Sequence, residues 1–253
     1  MFLKAIVKKP CKNLVKGLTS ANLGLPDYKL ALIHHQKYVE ALMECGLEVT
    51  VLEADVNYPD STFVEDTALL TPKCAIITNP GAPSRRGEIV EMERTIKNIS
   101  QNVEYIKSPG TLEAGDVMMV GTHFFIGLSA RTNQNGANQL ITILEKYGYT
   151  GSTVTLGNVL HLKSGVSYLE NNNLLTTSSF FRKSEFQKFN LILVDDNEEY
   201  AANSLWINDK VLVPKGFNKT KMKIDNLGYS TIEVDVSEFR KLDGGLSCLS
   251  LRY

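Results

Sequence analysis

The segment Val117–Leu156, VMMVGTHFFIGLSARTNQNGANQLITILEKYGYTGSTVTL, contains one copy of a structural unit that recurs along this chain of 253 residues. It opens with apolar, strand-like residues, and a second strand returns at Phe124–Ile126. Asn133–Tyr147 then has the features of a helix, and a further strand follows Gly148 at Ser152–Leu156. Glycine at that junction suits the left-handed conformation that often ends a helix. The segment therefore predicts a strand–strand–helix–strand unit.

The same pattern is met about five times, at spacings of roughly 40 to 55 residues, as in repeat architectures. Other strands that follow a helix-like segment are predicted at Leu47–Leu52, Val103–Ile106, Leu191–Val194 and Ser230–Val236. Other returning strands are predicted at Cys74–Thr78, Asn173–Leu175 and Val211–Pro214. The other helix-like runs are Tyr28–Cys45, Glu88–Ile99, Ser184–Phe189 and Asn218–Leu227. A closed ring of five such α/β units would direct five polar loops at one central site. No linker divides the chain, so we expect a single domain over residues 1–253.

Charge and hydropathy exclude several classes of protein. The 27 Lys and Arg residues nearly cancel the 28 Asp and Glu residues, whereas a nucleic-acid-binding protein needs a clustered basic excess. No apolar run reaches the roughly 20 residues of a membrane-spanning helix, and Met1–Lys9 lacks the features of a secretory signal. The four cysteines form no CxxC pair. They are typical of reduced thiols, so we expect a cytoplasmic protein. The charge balance and the hydropathy lead us to expect neither nucleic-acid nor membrane partners.

The helix predicted at Tyr28–Cys45 contains two neighbouring histidines. Asp27 precedes it in the position of a capping residue. His35 shares an apolar stripe with residues three to four positions apart, so we expect it to be packed and not to be a ligand. His34 points to a different side and is expected to face solvent.

Cys248 and His161 could together supply thiol chemistry. Cys248 follows Gly244 and Gly245, which permit backbone conformations closed to other residues and allow close approach of a ligand. A free cysteine on its own is more often a buried structural residue, but a thiolate is a nucleophile. His161 lies at a strand end, and a cysteine paired with a histidine from a distant loop is a known catalytic arrangement.

Acidic residues beside strand-like apolar segments form two groups, one at Asp60, Glu65 and Asp66 and one at Glu113 and Asp116. They could be solvated acids at strand ends. Buried, they would need a cation or hydrogen-bond donors, and planar pairing suits a guanidinium. A divalent metal is the competing explanation. The sequence has no HExxH, EF-hand or paired-cysteine spacing and no phosphate-binding glycine loop, so neither a dedicated metal site nor a cofactor is predicted.

Arg85 and Arg131 each precede a helix-like run. Each arginine is most simply a residue of a solvated turn, and each could also clamp a carboxylate with two hydrogen bonds. Together with a thiol, a histidine and guanidinium-sized acid pairs, these arginines fit an amino-acid substrate with a cationic side chain.

Seven short motifs, in this order, resemble those of the dimethylarginine dimethylaminohydrolases of the pentein, or guanidine-modifying, superfamily. They are Gly17–Ser20, Phe63–Asp66, Ser84–Glu88, Leu112–Asp116, Ser129–Asn133, Leu160–Lys163 and Asp243–Cys248. The resemblance extends over the whole chain and implies an α/β fold, a five-bladed ββαβ propeller with pseudo-fivefold symmetry. It also implies a hydrolase of C–N bonds in linear amidines. The expected reaction converts asymmetric dimethylarginine or monomethylarginine to citrulline and dimethylamine or methylamine, through a covalent cysteine thiouronium intermediate.

The resemblance further implies a role for individual residues. Cys248 matches the nucleophile, His161 the general acid and base, and Glu113 the acid that holds the guanidinium and orients the histidine. The positions that match substrate-binding residues are Leu18, Asp60, Glu65, Asp66, Arg85, Arg131 and Leu242. Of these, the two arginines match the grip on the substrate's α-carboxylate, and the two leucines would act through their backbones.

Two other functions remain open at this stage. Another guanidine-hydrolysing pentein, such as an arginine deiminase, would have a similar site, although that branch usually carries a helical insertion for which this chain has no room. A guanidine- or metal-binding protein without activity would not need a nucleophile. A cysteine beside a histidine could bind Zn²⁺ as an inhibitor. Exposed sheet edges of a small propeller can mediate a homodimer, but no sequence feature fixes the oligomeric state.

Overall fold

The computed structural model describes residues 1–157 and 159–253. The strands in these residues are β1 (Lys4–Lys8), β2 (Glu48–Leu52), β3 (Ala68–Leu70), β4 (Ala75–Ile77), β5 (Val103–Tyr105), β6 (Val117–Val120), β7 (His123–Leu128), β8 (Thr150–Thr155), β9 (Val166–Tyr168), β10 (Asn173–Thr176), β11 (Asn190–Leu193), β12 (Leu205–Ile207), β13 (Lys210–Pro214), β14 (Ser230–Val234) and β15 (Leu251–Arg252). The α-helices are α1 (Tyr28–Glu44), α2 (Ile89–Lys97), α3 (Gln134–Lys146), α4 (Ser178–Phe181), α5 (Asn218–Asp225) and α6 (Ser237–Arg240). Each described helix is too short or too polar to cross a membrane.

The strands form five three-stranded sheets with one common plan. Their strand orders are β15-β1-β2, β3-β4-β5, β6-β7-β8, β9-β10-β11 and β12-β13-β14. In every sheet the middle strand pairs antiparallel with one neighbour and parallel with the other. A parallel pair needs a crossover connection, and a helical segment supplies it in each case. The predicted α/β class and the fivefold ββαβ repeat are confirmed.

The chain divides into two compact units. The first unit comprises Met1–Phe63 and Gly165–Arg252 and contains three of the sheets. The second unit comprises Val64–Ser164, with Tyr253, and contains the sheets β3-β4-β5 and β6-β7-β8. The single domain expected from the sequence stays a prediction.

In the first unit, helix α1 fixes the backbone that precedes the chain's last strand. The Tyr38 side chain is fully buried, and its hydroxyl donates to the Leu246 carbonyl oxygen at 2.8 Å. The same hydroxyl lies 2.6 Å from the Ser250 hydroxyl. A buried tyrosine needs such partners, and these bonds hold the segment on both sides of Cys248.

In the second unit, helix α3 packs its apolar face on the sheet β6-β7-β8. Leu140 and Leu144 from the helix join Phe124 and Ile126 from the central strand in one buried cluster. The Asn133 side chain caps the helix by accepting from the Gly136 N–H at 2.8 Å, as expected at an N-cap. The loops around the site described below leave the ends of these elements.

The observed elements follow the predicted ones to within a few residues, with one exception. The run Ser184–Phe189 is not an α-helix; the crossover there consists of the short α4 and a single 3-10 turn at Ser184–Phe186. Gly148, which was predicted to end a helix, adopts the left-handed conformation with φ of 75°, and Gly46 after α1 does the same with φ of 85°.

The two neighbouring histidines of α1 are both buried. His35 is 4% exposed, as predicted for a packed residue. The prediction that His34 faces solvent was wrong, since it is 5% exposed and its Nε2 lies 3.6 Å from Asp235 Oδ1. Helix α1 also packs against α6 and β14, so a second side of the helix is covered that its apolar stripe did not indicate.

Buried His35 predicts that the protein loses stability in mild acid. Burial lowers the pKa of His35 to about 4, although a hydrogen bond with the Lys8 backbone opposes the shift. The unfolded chain, with a histidine pKa near 6.5, binds this proton first. Stability should therefore fall between about pH 6.5 and 4, by about 3 kcal/mol in total. Urea unfolding at pH 7 and 4.5 should show a smaller loss for His35→Leu than for the wild type; an equal loss in both would contradict the prediction.

Candidate active site

His161 is the centre of a buried polar cluster in the second unit. It precedes the 3-10 turn Leu162–Ser164 and is 7% exposed. Its Nε2 lies 3.0 Å from Oε2 of Glu113, which is fully buried at the start of the turn Ala114–Asp116. The sequence predicted this acid and this histidine as partners, and within the second unit the structure brings them into direct contact.

Asp66 completes the cluster. Its Oδ1 accepts the Gly115 N–H at 3.0 Å. One carboxylate oxygen of Asp66, one of Glu113 and one ring nitrogen of His161 all lie within 4.8 Å of one another. A side chain at position 115 would come within 2.9 Å of both Asp66 Oδ1 and the His161 ring. Glycine is therefore required there by close packing. We call Asp66, Glu113 and His161 the acid–imidazole cluster.

The acid–imidazole cluster is an ion-pair network. Burial disfavours the imidazolium, but the charges of Asp66 and Asp116 and the hydrogen bond with Glu113 outweigh it and raise the pKa of His161 to about 9. Burial acts to raise the pKa of Glu113, yet the hydrogen bond with His161 lowers it below its ordinary value. The pKa of Asp66 is likewise lowered, against burial, by His161 and Arg85. At neutral pH the cluster therefore holds a protonated imidazole between carboxylates.

Arg85 binds two acids of its own unit. Its Nη1 donates to Asp66 Oδ2 at 2.5 Å, and its Nε and Nη2 donate to Glu88, with Nη2 2.8 Å from Oε2. Burial works against the charged guanidinium, but Glu88 and Asp66 hold the pKa of Arg85 well above its ordinary value. The sequence indicated that this arginine could clamp a carboxylate, and here it clamps Glu88. Its predicted grip on a substrate stays a prediction.

Arg131 and Glu65 lie next to the acid–imidazole cluster. Arg131 is partly exposed, and its Nη1 is 3.4 Å from Glu113 Oε1. The Glu65 side chain is buried, and Lys163 Nζ donates to its Oε1 at 2.6 Å. Each of these predicted substrate-contacting groups is thus held by an oppositely charged neighbour.

In the first unit, three of the predicted binding residues meet around Gly17. The Leu18 N–H donates to Asp60 Oδ1 at 2.9 Å. A side chain at Gly17 would come within 2.7 Å of that oxygen and 3.3 Å of the Leu242 side chain. Asp60 and Leu242 are both buried, whereas Leu18 is 40% exposed. The loop can therefore present the Leu18 backbone to a ligand while Asp60 anchors it.

Cys248 lies in the turn Ser247–Leu249 and is partly buried. Its Sγ accepts the Gly245 N–H at 3.3 Å. The sequence assigned the preceding glycines a special backbone conformation, but the left-handed residue is Asp243, with φ of 60°. The glycines are needed for space, since a side chain at Gly244 would come within 2.2 Å of the Phe63 ring.

Comparison with known proteins identifies the family. The family model described as N,N dimethylarginine dimethylhydrolase, eukaryotic, matches residues 27–175. The chain is 54% identical to the N(G),N(G)-dimethylarginine dimethylaminohydrolase of Pseudomonas aeruginosa, over 100% of both chains. This chain belongs to the dimethylarginine dimethylaminohydrolase family. The predicted family and its enzyme class, hydrolases acting on C–N bonds, are confirmed.

Solved structures extend the dimethylarginine dimethylaminohydrolase match to the fold. A cysteine-to-serine mutant of the Pseudomonas aeruginosa enzyme complexed with citrulline has a TM-score of 0.99 at 54% identity, over 100% of both chains. A histidine-to-glycine dimethylarginine dimethylaminohydrolase adduct with S-methyl-L-thiocitrulline matches with the same score. The N-terminal domain of ArgZ, a cyanobacterial arginine dihydrolase, has a TM-score of 0.90 at 17% identity over 99% of this chain and 97% of that one, which shows a shared fold.

Two residues that hold members of this candidate site were not assigned a role from the sequence. Glu88 and Lys163 hold Arg85 and Glu65. Asp116, which the sequence grouped with Glu113 as acids of a possible cation pocket, is fully buried and accepts hydrogen bonds from Leu162 and Ser129. The i,i+3 spacing of Arg85 and Glu88 was the available signal, because that spacing brings side chains together on one turn. Lys163 is remote in sequence from its partner, so no local pattern could have indicated that pair.

The acid–imidazole cluster also brings together three groups of the kind that bind metals. Each of the three already has an oppositely charged partner, because Arg85 pairs with Asp66 and the protonated His161 pairs with Glu113. A histidine must lose its proton before it can bind a metal ion. The cluster is accounted for as an ion-pair network, and we assign it no metal.

Proposed function

We propose that this chain hydrolyses asymmetric dimethylarginine and monomethylarginine to citrulline and the corresponding methylated amine. The observation that carries the proposal is the acid–imidazole cluster, in which a buried, protonated His161 lies between the carboxylates of Asp66 and Glu113. Carboxylates fix a guanidinium in one plane, and an imidazolium can donate a proton to a departing amine. The names of the family's characterised members and the citrulline complex of a relative support the same reaction.

The first half of the proposed reaction forms a covalent intermediate. The Cys248 thiolate attacks the guanidinium carbon and forms a C–S bond, which gives a tetrahedral adduct. His161 then transfers its proton to the methylated nitrogen, the C–N bond breaks, and dimethylamine or methylamine leaves. Glu113 accepts a hydrogen bond from the imidazole and so keeps its ring in a fixed orientation.

The second half regenerates the enzyme. Neutral His161 takes a proton from water, and the resulting hydroxide attacks the carbon of the thiouronium. The C–S bond breaks and the thiolate leaves, the second proton of the water passes to the solvent, and the water oxygen becomes the ureido oxygen of citrulline. One water is consumed and one amine is released, and His161 ends protonated, as it began.

The binding roles are proposed from the same arrangement. Asp66 and Glu65 would hold the cationic end of the substrate with Asp60, and Leu18 would contact it through the backbone, as would Leu242. Of the two arginines predicted to grip the α-carboxylate, Arg131 is the more exposed. Arg85 would act with it while it stays bonded to Glu88 and Asp66.

Citrulline release from three substrates tests the function. Purified protein is incubated separately with arginine, monomethylarginine and asymmetric dimethylarginine, and the citrulline formed is measured. We expect product from both methylated arginines. Product from arginine alone would support an arginine deiminase, and product from none would support a binding protein. Light scattering tests whether the chain forms the homodimer that exposed sheet edges can mediate, and the cytoplasmic location stays a prediction.

A further inference from the structure

Asp116 binds three donors beneath the acid–imidazole cluster. It is fully buried, and it ends the turn that Glu113 begins. Its Oδ1 accepts the Leu162 N–H at 2.9 Å, and its Oδ2 accepts the Ser129 hydroxyl at 2.6 Å. The Thr132 hydroxyl is a third hydrogen-bond partner. Burial raises the pKa of Asp116, and the charge of His161 and these three donors act in the opposite direction. A buried carboxylate needs such partners to be ionised.

The bond to Leu162 controls the backbone that carries the histidine. Leu162 directly follows His161 and starts the turn Leu162–Ser164. A side chain at Gly127 would lie 3.1 Å from Asp116 Oδ1 and 3.0 Å from Leu162 Cβ. Strand β7, which contains Gly127, therefore approaches both Asp116 and Leu162 closely. This packing and the bond to Asp116 together fix the backbone next to His161.

The bonds to the two hydroxyl groups control the other segments of the site. The Ser129 hydroxyl accepts the N–H groups of Arg131 at 3.0 Å and Thr132 at 3.1 Å, which closes the turn that carries Arg131. The Thr132 hydroxyl accepts the Glu113 N–H at 3.2 Å. The Asp116 carboxylate is thus connected directly to the His161 segment, and through one hydroxyl each to the segments of Arg131 and Glu113.

We propose that Asp116 is a positioning residue that holds the His161, Glu113 and Arg131 segments in one arrangement. The negative charge of its carboxylate also favours the protonated His161 imidazole. The other charged groups around the imidazole are Asp66 and Glu113, with Arg85 bonded to the first of them. The expected effect of Asp116 on kcat rests on the proposed function. Its expected effect on the pKa of His161 can be measured without turnover.

Asp116→Asn tests the proposal because it removes the charge and keeps the shape. The asparagine can still accept the Leu162 N–H, but its NH₂ would face a Ser129 hydroxyl whose lone pairs are occupied. We expect the His161 pKa, measured by NMR titration and assigned by its absence in His161→Gly, to fall by about one unit. We expect kcat to fall about 10- to 100-fold, as for other groups that orient a functional histidine. The alkaline limb of the kcat profile should move to lower pH by a similar amount.

Glu198→Gln is the matched control. Glu198 is also a buried carboxylate that accepts backbone N–H groups, from Lys219 at 3.2 Å and Thr220 at 2.7 Å. These donors lie in the first turn of α5, in the first unit. This variant should lower the melting temperature and leave kcat and the His161 pKa unchanged. An Asp116→Asn protein that behaves like this control would overturn the proposal.

Ser129→Ala provides a second variant if Asp116→Asn does not fold. It releases the Arg131 turn but retains the Asp116 charge. We expect a several-fold higher KM with the His161 pKa unchanged, and a wild-type KM would contradict the connection through Ser129. Absence of turnover in the wild type would count against the proposed function alone, because the NMR titration still decides the electrostatic effect of Asp116.

Discussion

Cys248→Ser is expected to reduce citrulline formation by at least about 10⁴-fold while the fold stays intact, as for the loss of other catalytic nucleophiles. A thiol with an ordinary pKa near 8.5 provides a usable fraction of thiolate, whereas a serine hydroxyl does not ionise in this range. The substitution is conservative in shape. Serine can accept the same Gly245 N–H that lies 3.3 Å from the sulfur. Steady-state citrulline assays and thermal unfolding of the same preparation measure the two expectations.

Cys74→Ser is the control for Cys248→Ser. Cys74 is buried in the second unit, and its Sγ lies 3.5 Å from the Thr71 hydroxyl, so a serine there would find a partner. This variant should keep wild-type turnover, with at most a lower melting temperature. Activity of Cys248→Ser within tenfold of the wild type would exclude Cys248 as the nucleophile.

His161→Gly is expected to stop the reaction at the covalent intermediate and to lower turnover about 10²- to 10⁴-fold, the usual contribution of general acid–base catalysis. Expulsion of an amine needs the imidazolium, and hydrolysis of the thiouronium needs the neutral imidazole. A substrate with a better leaving group, S-methyl-L-thiocitrulline, needs less help in the first step. With this substrate the variant should therefore accumulate the adduct, measured as a mass increase of the intact protein.

His123→Ala is the control for His161→Gly. Its ring nitrogens lie 2.8 Å from the hydroxyls of Thr150 and Ser152 on the neighbouring strand, so its bonds serve the sheet. It should turn over substrate and show no lasting adduct. If His161→Gly released citrulline at the wild-type rate, the roles proposed for His161 as acid and base would both be wrong.

The fold followed closely from the sequence because its signals are local. Strand alternation and glycine at helix ends depend on neighbours a few residues away, and the strands at Ser230–Val234 and Lys210–Pro214 differ from the predicted ranges by at most two residues. The run Ser184–Phe189 failed for the opposite reason, since so short a segment forms few hydrogen bonds of its own and its form depends on packing. His34 failed because the second covered side of its helix is formed by remote elements.

Within the site, residue type could be predicted and pairing could not. An acid beside apolar strands needs a partner, and the sequence indicated a guanidinium for Asp66. The structure provides one from the chain itself, Arg85, and a lysine for Glu65. Lys163 and Glu65 are 98 positions apart, and an ion pair at that separation produces no local pattern in a sequence.

The sequence by itself determined the repeated ββαβ plan, the family and the chemical types at the site, because each is written in short motifs and local periodicity. Only the tertiary structure decided that His161 is buried between Asp66 and Glu113, and that Asp116 accepts the Leu162 N–H beside His161. The reason is physical. The protonation state of a buried imidazole depends on the charges that surround it in space, and those charges come from loops that sequence order does not bring together.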